Sequence, residues 1–305
     1  MFIRQIHYLL ALSKTKHFGR AAEACHVSQP ALSTAIQHLE EELNITIIQR
    51  GQRFEGFTLE GERLLQWAQI LAHDWESMKQ VAAECSCTLT GTLRIGAIPT
   101  TLPIASLLTE PFQQTYPGVH IKLTSLSAEE IIRQLDSFGL DLGLTYINDP
   151  NLKGFNKLSL YHERHVLLAR TPDPNLLNRH LIWSDVADLP LCLLTPNMQN
   201  RRLIDGAFRE VNITPRIMLE TDSIVALYTH VLSAGLYSIV PHSLLNLFEK
   251  SQKITALPLY PELCREIGLI SRHQERPSPL EEAAWNTAKQ LDLQQRFDSL
   301  IDLNA

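Results

Sequence analysis

The sequence predicts an α/β chain in three parts: a small N-terminal helical unit, one long helix, and a larger C-terminal region of sheets covered by helices. Three observations carry this. Residues 3–43 hold short apolar runs at helical spacing, residues 58–84 hold one long run, and from Leu89 onward strand-like and helical runs alternate. With 305 residues, 45% of them hydrophobic and 20% charged, the chain has material for two or three compact units and no sign of wholesale disorder.

Several function classes are excluded early. No stretch is apolar for long enough to cross a bilayer, so no membrane partner is expected. The opening MFIRQIHYLLALSKTKHF is interrupted by His7 and Tyr8, meets no small-residue cleavage site and continues as helical periodicity. It reads as a folded helix rather than a signal peptide, which places the protein in the cytoplasm. Cys25, Cys85, Cys87, Cys192 and Cys264 are an odd, scattered set that argues against a disulfide framework, and the Cys85/Cys87 spacing is poor for zinc. There is no G-x-S-x-G, H-E-x-x-H, P-loop or dinucleotide glycine pattern, and the histidines lack ligand spacing. No enzyme activity, cofactor or metal is expected.

In the N-terminal unit, Ile3, Ile6, Leu9, Leu10 and Leu12 mark one helix face. Phe18–Cys25 is a second, short helix whose Ala21 and Ala22 permit close packing. Ser28 is a good N-cap for a third, with Pro30 in its first turn and Leu32, Ile36, Leu39 and Leu43 on its buried side. Two short helices joined by a tight turn and braced by another describe a helix-turn-helix. Residues 45–58 look like a two-stranded wing. In such units the start of the second helix meets base edges in the major groove. The candidate DNA-contacting residues are Ser28, Gln29, Pro30, Ser33, Thr34, Gln37 and His38, with Arg50 and Arg53 on the wing for phosphate or the minor groove. Charge gives little support: the net charge is −6, and the first sixty residues hold six Lys/Arg against six Asp/Glu. By patterning alone, a small helical packing domain fits as well.

The segment FGRAAEACHVSQPALSTAIQHLEEELNITIIQR settles the choice at sequence level, because it resembles the winged helix-turn-helix of LysR-type transcriptional regulators. The resembling pieces are Ala21-Ala22, the run Val27 to Ala31, Ser33, Ile36, Leu39 to Leu43, Arg50, and Thr58 to Gly61. Departures are Thr34 where the family usually has a basic residue, Ala35 for Gln, Asn44 for Gly, Ile48 for Phe and Cys25 for a core Leu. The first two weaken the expected phosphate and base contacts.

Thr58 is the expected N-cap of the long helix. Leu64, Ala68, Leu71, Trp75 and Met78 follow at steps of 4, 3, 4 and 3, a heptad seam for which a second subunit is the economical partner and packing within one chain the alternative. The resemblance implies an antiparallel dimer through this helix, a tetramer built from two dimers, and a two-fold related double-stranded DNA site. It also implies a two-lobed, periplasmic-binding-protein-like effector domain and a mechanism in which effector binding alters DNA bending and recruitment of RNA polymerase. The expected divisions are residues 1–58 for DNA binding, 59–88 for the linker helix and 89–305 for the effector domain. Within the last, lobe I is 90–161 plus 267–305 and lobe II is 162–266, crossed near His162 and Arg265.

In parallel α/β sheets, ligands bind beyond the carboxyl ends of strands, at helix N-termini. The residues expected there are Thr100, Thr101, Ser127, Thr145, Thr195, Asn197 and Thr221. Hydroxyls beside helix N-termini fit a small anionic metabolite, with Arg201 and Arg202 as added charge if they face inward. Each hydroxyl taken singly fits a plain helix cap equally well. Two rival functions are a thiol-based redox sensor of the same family and a plain solute-binding protein. The family's close sensor-cysteine pair is not matched, and a solute-binding protein would lack residues 1–60.

Overall fold

The computed structural model describes residues 3–50, 54–84, 89–171, 181–247 and 253–302. Two compact units emerge, residues 1–87 and 88–305.

The first unit consists of α1 (Ile3–Thr15), α2 (Phe18–Ala24), α3 (Gln29–Leu43), β1 (Ile48–Arg50), β2 (Phe54–Phe57) and α4 (Leu59–Glu84). Its core gathers Ile6, Leu9 and Leu12 of α1, Ala21 and Ala22 of α2, and Leu32, Ile36 and Leu39 of α3. The Ser28 hydroxyl accepts from the Ala31 amide at 3.3 Å and caps α3. The helix ends at Asn44, whose φ of 51° and ψ of 44° are left-handed. That is why Asn can replace a family Gly here: its short polar side chain tolerates this region better than most residues. β1 and β2 pair antiparallel as the expected wing. Arg53 lies outside the described residues, and Arg50 contributes here only its place in β1.

Glu40 is an acidic residue on the inner side of α3. It is buried, and its Oε1 accepts from the amides of Ile47 and Ile48 at 2.7 and 3.1 Å. It thereby fixes the entry to the wing from the end of α3. On the far side, the Thr58 hydroxyl donates to the Thr46 carbonyl at 2.6 Å and accepts from the Gly61 amide at 2.9 Å. A Cβ at Gly61 would lie 2.2 Å from the Ile47 carbonyl oxygen, so only glycine lets α4 approach this strand so closely.

The heptad seam of α4 needs correction. Ala68 is 1% exposed and packs in the core of its own unit, with Leu64 half-buried beside it. The reason is that the first turns of α4 lie on α1. Beyond Leu59 at its start, the exposed apolar residues of α4 are Trp67, Leu71, Trp75, Met78 and Val81, so the free stripe shares Leu71, Trp75 and Met78 with the predicted seam but not Leu64 or Ala68.

The second unit opens with β3 (Gly91–Ala97), α5 (Ser106–Thr115), β4 (Val119–Ser125), α6 (Ala128–Asp136) and β5 (Leu142–Tyr146). Then come β6 (Phe155–Arg170), β7 (Leu181–Ile182), α7 (Trp183–Val186), β8 (Leu191–Leu194), α8 (Gln199–Glu210), β9 (Ile217–Thr221) and α9 (Ile224–Ala234). β10 (Ser238–Pro241), β11 (Ile254–Tyr260), β12 (Cys264–Arg272), α10 (Pro279–Lys289) and α11 (Leu293–Asp302) complete it.

β4, β3 and β5 run parallel, and β12 joins β5 antiparallel. β6 is shared. Its residues from Phe155 to Arg164 pair with β12, and from His165 to Arg170 it pairs with β10 and β11. The β8–β9 pair attaches to this second sheet through Tyr237, which exchanges backbone bonds with Pro190 and Cys192. The second unit therefore forms two lobes, each with a cluster of its own and with a larger apolar cluster shared between them. The sheets are mixed rather than purely parallel, because the strands that cross between lobes run against their neighbours.

Replacing Glu40 with Ala leaves two buried amides without an acceptor. Losing hydrogen bonds to a charged group costs about 1.5–3 kcal/mol. Glu40→Ala is therefore expected to lower the unfolding free energy of the first unit, obtained from denaturant titration followed by circular dichroism, by an amount in that range. Glu40→Gln, which keeps one oxygen, should lose less.

Candidate nucleic-acid interface and ligand cavity

The face of α3 opposite Leu32, Ile36 and Leu39 carries the predicted contact residues. Ser28, Gln29, Pro30, Thr34, Gln37 and His38 are exposed and Ser33 is half-exposed. Ser28 spends its hydroxyl on the cap, so its part is to set the helix start. Gln29, Pro30, Ser33 and Gln37 offer an amide, a ring edge, a hydroxyl and a second amide along one helix. Gln can bond adenine with two hydrogen bonds, while Ser reads bases less selectively. A convex polar helix of this kind, with a wing beside it, suits a major groove.

The second unit holds a cavity of about 190 Å³ between its lobes. One wall is Ile98 to Thr100 after β3, the turn from Ser125 to Glu129, and Tyr146 at the end of β5. The other is Leu194 at the end of β8, the run from Asn197 to Asn200, and Arg202. All these segments lie at the carboxyl ends of parallel strands or at the helix starts that follow. α6 begins here under its Ser127 cap, which accepts from the Glu130 amide at 3.2 Å. α8 begins here with no side-chain cap. Two helix N-termini thus face one cavity, and their first-turn amides and dipoles favour negative charge.

Of the predicted ligand residues, Thr100, Ser127 and Asn197 line the cavity. Thr101, Thr145, Thr195 and Thr221 are not among its lining residues. Thr101 spends its hydroxyl on the Ile98 and Leu144 carbonyls, both at 3.1 Å, and Thr221 accepts from the Ser223 amide. Thr145 and Thr195 sit one position away from lining residues, with buried hydroxyls that have no partner among the described residues. Arg201 does not supply charge to the cleft. It is buried against Asp205 at 2.7 Å, Glu220 at 2.6 Å and the Leu194 carbonyl. Arg202 does reach the cavity, bonding the Asn197 carbonyl at 2.8 Å and facing Glu129 of the opposite lobe at 3.4 Å.

A group that sequence reading missed lies where β6 passes between the lobes. Glu163 and His165 are wholly buried and point to the same side of the strand. The Tyr146 hydroxyl donates to Glu163 Oε1 at 2.9 Å, and Asn200 bonds His165 Nε2 at 2.9 Å. Each crossing-strand residue thus holds a side chain that lines the cavity, one from each lobe. Burial pushes the Glu163 carboxyl up to about 8, partly offset by the Tyr146 bond and by Arg265. Burial likewise holds His165 down to about 4. Both are uncharged at pH 7. The available sequence signal was an acid and a histidine two apart in a strand otherwise rich in buried apolar residues.

The thiols are poorly placed for reaction. Cys192 is buried and pushed up to about 11 by desolvation, and Cys25 and Cys264 are also raised, chiefly by burial. Cys85 and Cys87 lie outside the described residues.

A helix-turn-helix unit followed by a two-lobed α/β unit with a cavity between the lobes defines a DNA-binding regulator with a ligand domain. The comparisons assign the family: residues 3–62 match the bacterial regulatory helix-turn-helix of the lysR family, and residues 88–292 match the LysR substrate binding domain. The chain belongs to the LysR family of transcriptional regulators. It is 30% identical over 275 residues to the DNA-binding transcriptional dual regulator OxyR of Escherichia coli K12, covering 89% of this chain and 90% of that one. It is 27% identical over 307 residues to the transcriptional regulator EstR of Acinetobacter baylyi, covering 99% and 95%. In fold it is similar to a full-length OxyR variant from Pseudomonas aeruginosa, with a TM-score of 0.75, 22% identity and 97% of both chains covered. It is also similar to full-length CbnR in complex with its target DNA, with a TM-score of 0.64, 20% identity, and 95% and 99% covered. Among the described residues no helix is long and apolar enough to cross a membrane.

The buried carboxyl gives a pH signature with a definite sign. Glu163 holds its proton in the folded chain to about pH 8 but loses it near pH 4.5 when unfolded. Its contribution to stability is therefore full below about pH 4.5 and is lost as the pH rises toward 8. The isosteric, uncharged Glu163→Gln variant is expected to gain stability relative to the wild type as pH rises from 5 to 8. Denaturant midpoints at the two pH values check this, and a constant difference would refute the assignment.

Proposed function

We propose that this LysR-family regulator senses a small anionic metabolite in its inter-lobe cavity, and that binding changes how its DNA-reading helices engage a two-fold related site. The observation that carries the reading is the pair of helix N-termini on one cavity, with Arg202 as the cation that reaches it. The chain is read as non-enzymatic and cytoplasmic. Self-association through the exposed stripe of α4 would supply two copies of α3 to the DNA, and RNA polymerase is a further partner in this reading. Several relatives are hydrogen peroxide-inducible gene activators, and what favours the metabolite reading over a thiol response here is that the described thiols Cys25, Cys192 and Cys264 are raised, chiefly by burial. An unchanged oxidant response after replacement of all five cysteines would count against thiol sensing, and its loss would favour it.

Titration of the full chain with sulfate, phosphate and short carboxylates, followed by calorimetry, tests the cavity. At least one anion should bind, and Thr100→Tyr, which fills the cavity, should weaken it tenfold or more. Absence of binding by every anion, or equal binding by the variant, would sink the placement.

Two further outcomes test the DNA side. A well-placed base contact is worth about 1–3 kcal/mol, so Gln29→Ala should weaken operator binding about 5- to 150-fold in a gel shift. Trp75→Glu should lower the association state measured by sedimentation and weaken operator binding with it.

A further inference from the structure

Asn200 occupies the first turn of α8, lines the cavity and is 4% exposed. Its neighbours fix which way its carboxamide lies. His165 presents Nδ1 to the Leu263 carbonyl at 3.1 Å, and a carbonyl only accepts, so Nδ1 carries the hydrogen. The imidazole is neutral at pH 7, so Nε2 is an acceptor. The Asn200 atom 2.9 Å from Nε2 is therefore the amide nitrogen. That leaves the carboxamide oxygen, buried and with no hydrogen-bond partner among the described residues. From the other lobe, Thr100, 2% exposed, brings a hydroxyl to the same cavity that is likewise without a partner. Buried polar atoms in folded proteins are nearly always paired. An acceptor and a hydroxyl left over on facing walls of one cavity point to a ligand with a donor of its own.

The acceptor's position narrows the ligand. Asn200 sits in the same first turn of α8 whose amides would take the anion, so the donor it serves must lie close to the anionic group. We propose that Asn200 is the specificity residue of the cleft, its side-chain oxygen accepting a hydrogen bond from a hydroxyl or amino group on the carbon next to an acid. The site then selects small 2-hydroxy or 2-amino acids over the same acids lacking that group. This rests on the reading of the cavity as an anion site and adds a second pole to it. A site with a buried acceptor rejects the analogue that leaves it unpaired far more strongly than a site that merely loses apolar contact.

Matched pairs of probes test this on the full chain by calorimetry at pH 7: glycolate and glycine against acetate, lactate and alanine against propionate. The expected result is that the hydroxy or amino member of a pair binds at least about tenfold tighter, and that Asn200→Leu abolishes the preference. Should Asn200→Leu fail to fold by its melting curve, Asn200→Ser, which withdraws the oxygen in a smaller polar side chain, carries the same expectation. Equal affinities within each pair, a preference that survives in the variant, or no binding by any of these acids would each overturn the proposal. Sulfate and phosphate titrated in parallel separate the two readings. If they bind in the cavity and the acid pairs are not distinguished, only the role of Asn200 falls; if no anion binds, the anion site falls with it.

Discussion

One strand, β6, belongs to both lobes of the ligand unit, and the cavity depends on that. Up to Arg164 its backbone bonds go to β12, and from His165 they go to β10 and β11. The lobes are therefore joined by continuous, paired backbone rather than by a free linker. Glu163 and His165 stand at the change of partner and tether Tyr146 and Asn200, so the walls of the cavity are referenced to the strand that both lobes share. The C-terminal helix reinforces the same place: Gln294 of α11 accepts from the His162 amide at 2.7 Å, and Asp298 pairs with Arg164 at 2.7 Å.

The DNA-binding unit solves a different problem with similar means. Its first three helices are short and marginal alone, so their order comes from a shared apolar core. Attachment of the wing is then polar, through Glu40 beneath it and Thr58 at its far end. Local neutrality in this region is partly explained by Glu40, since one of its acidic residues faces inward and does not meet DNA.

Much of this was legible in the sequence because it depends on local patterns. The three short helices follow from apolar spacing and from Ser28 and Pro30, and the order of strands and helices follows from alternation. The likeness to the LysR family came from an ordered run of residues rather than from a single motif. What was not legible depends on distant partners. Ala68 fits a heptad as well as a buried helix face, and only the position of α1 decides between them. Thr100 and Thr101 are chemically equivalent in sequence, yet one is free at the cavity and the other caps its own backbone. Arg201 and Arg202 are adjacent on α8 and so point about 100° apart, one to Asp205 and Glu220 within lobe II and the other to the cleft and Glu129, and only the docked position of the helix says which is which. The end of one helix and the crossing of one strand bring Asn200 and His165 together across 35 residues of chain.

The neutral state of Glu163 and His165 has a kinetic consequence for the hinge. Moving an ion between a dry interior and water carries a large solvation cost. A rocking of the lobes about β6 that disturbs an uncharged carboxyl and an uncharged imidazole carries no such cost. The ionic contribution to such a motion would then come from the more exposed pairs beside the strand and across the cleft, Arg164 with Asp298 and Arg202 with Glu129, and salt would act through them rather than through the buried Glu163 and His165.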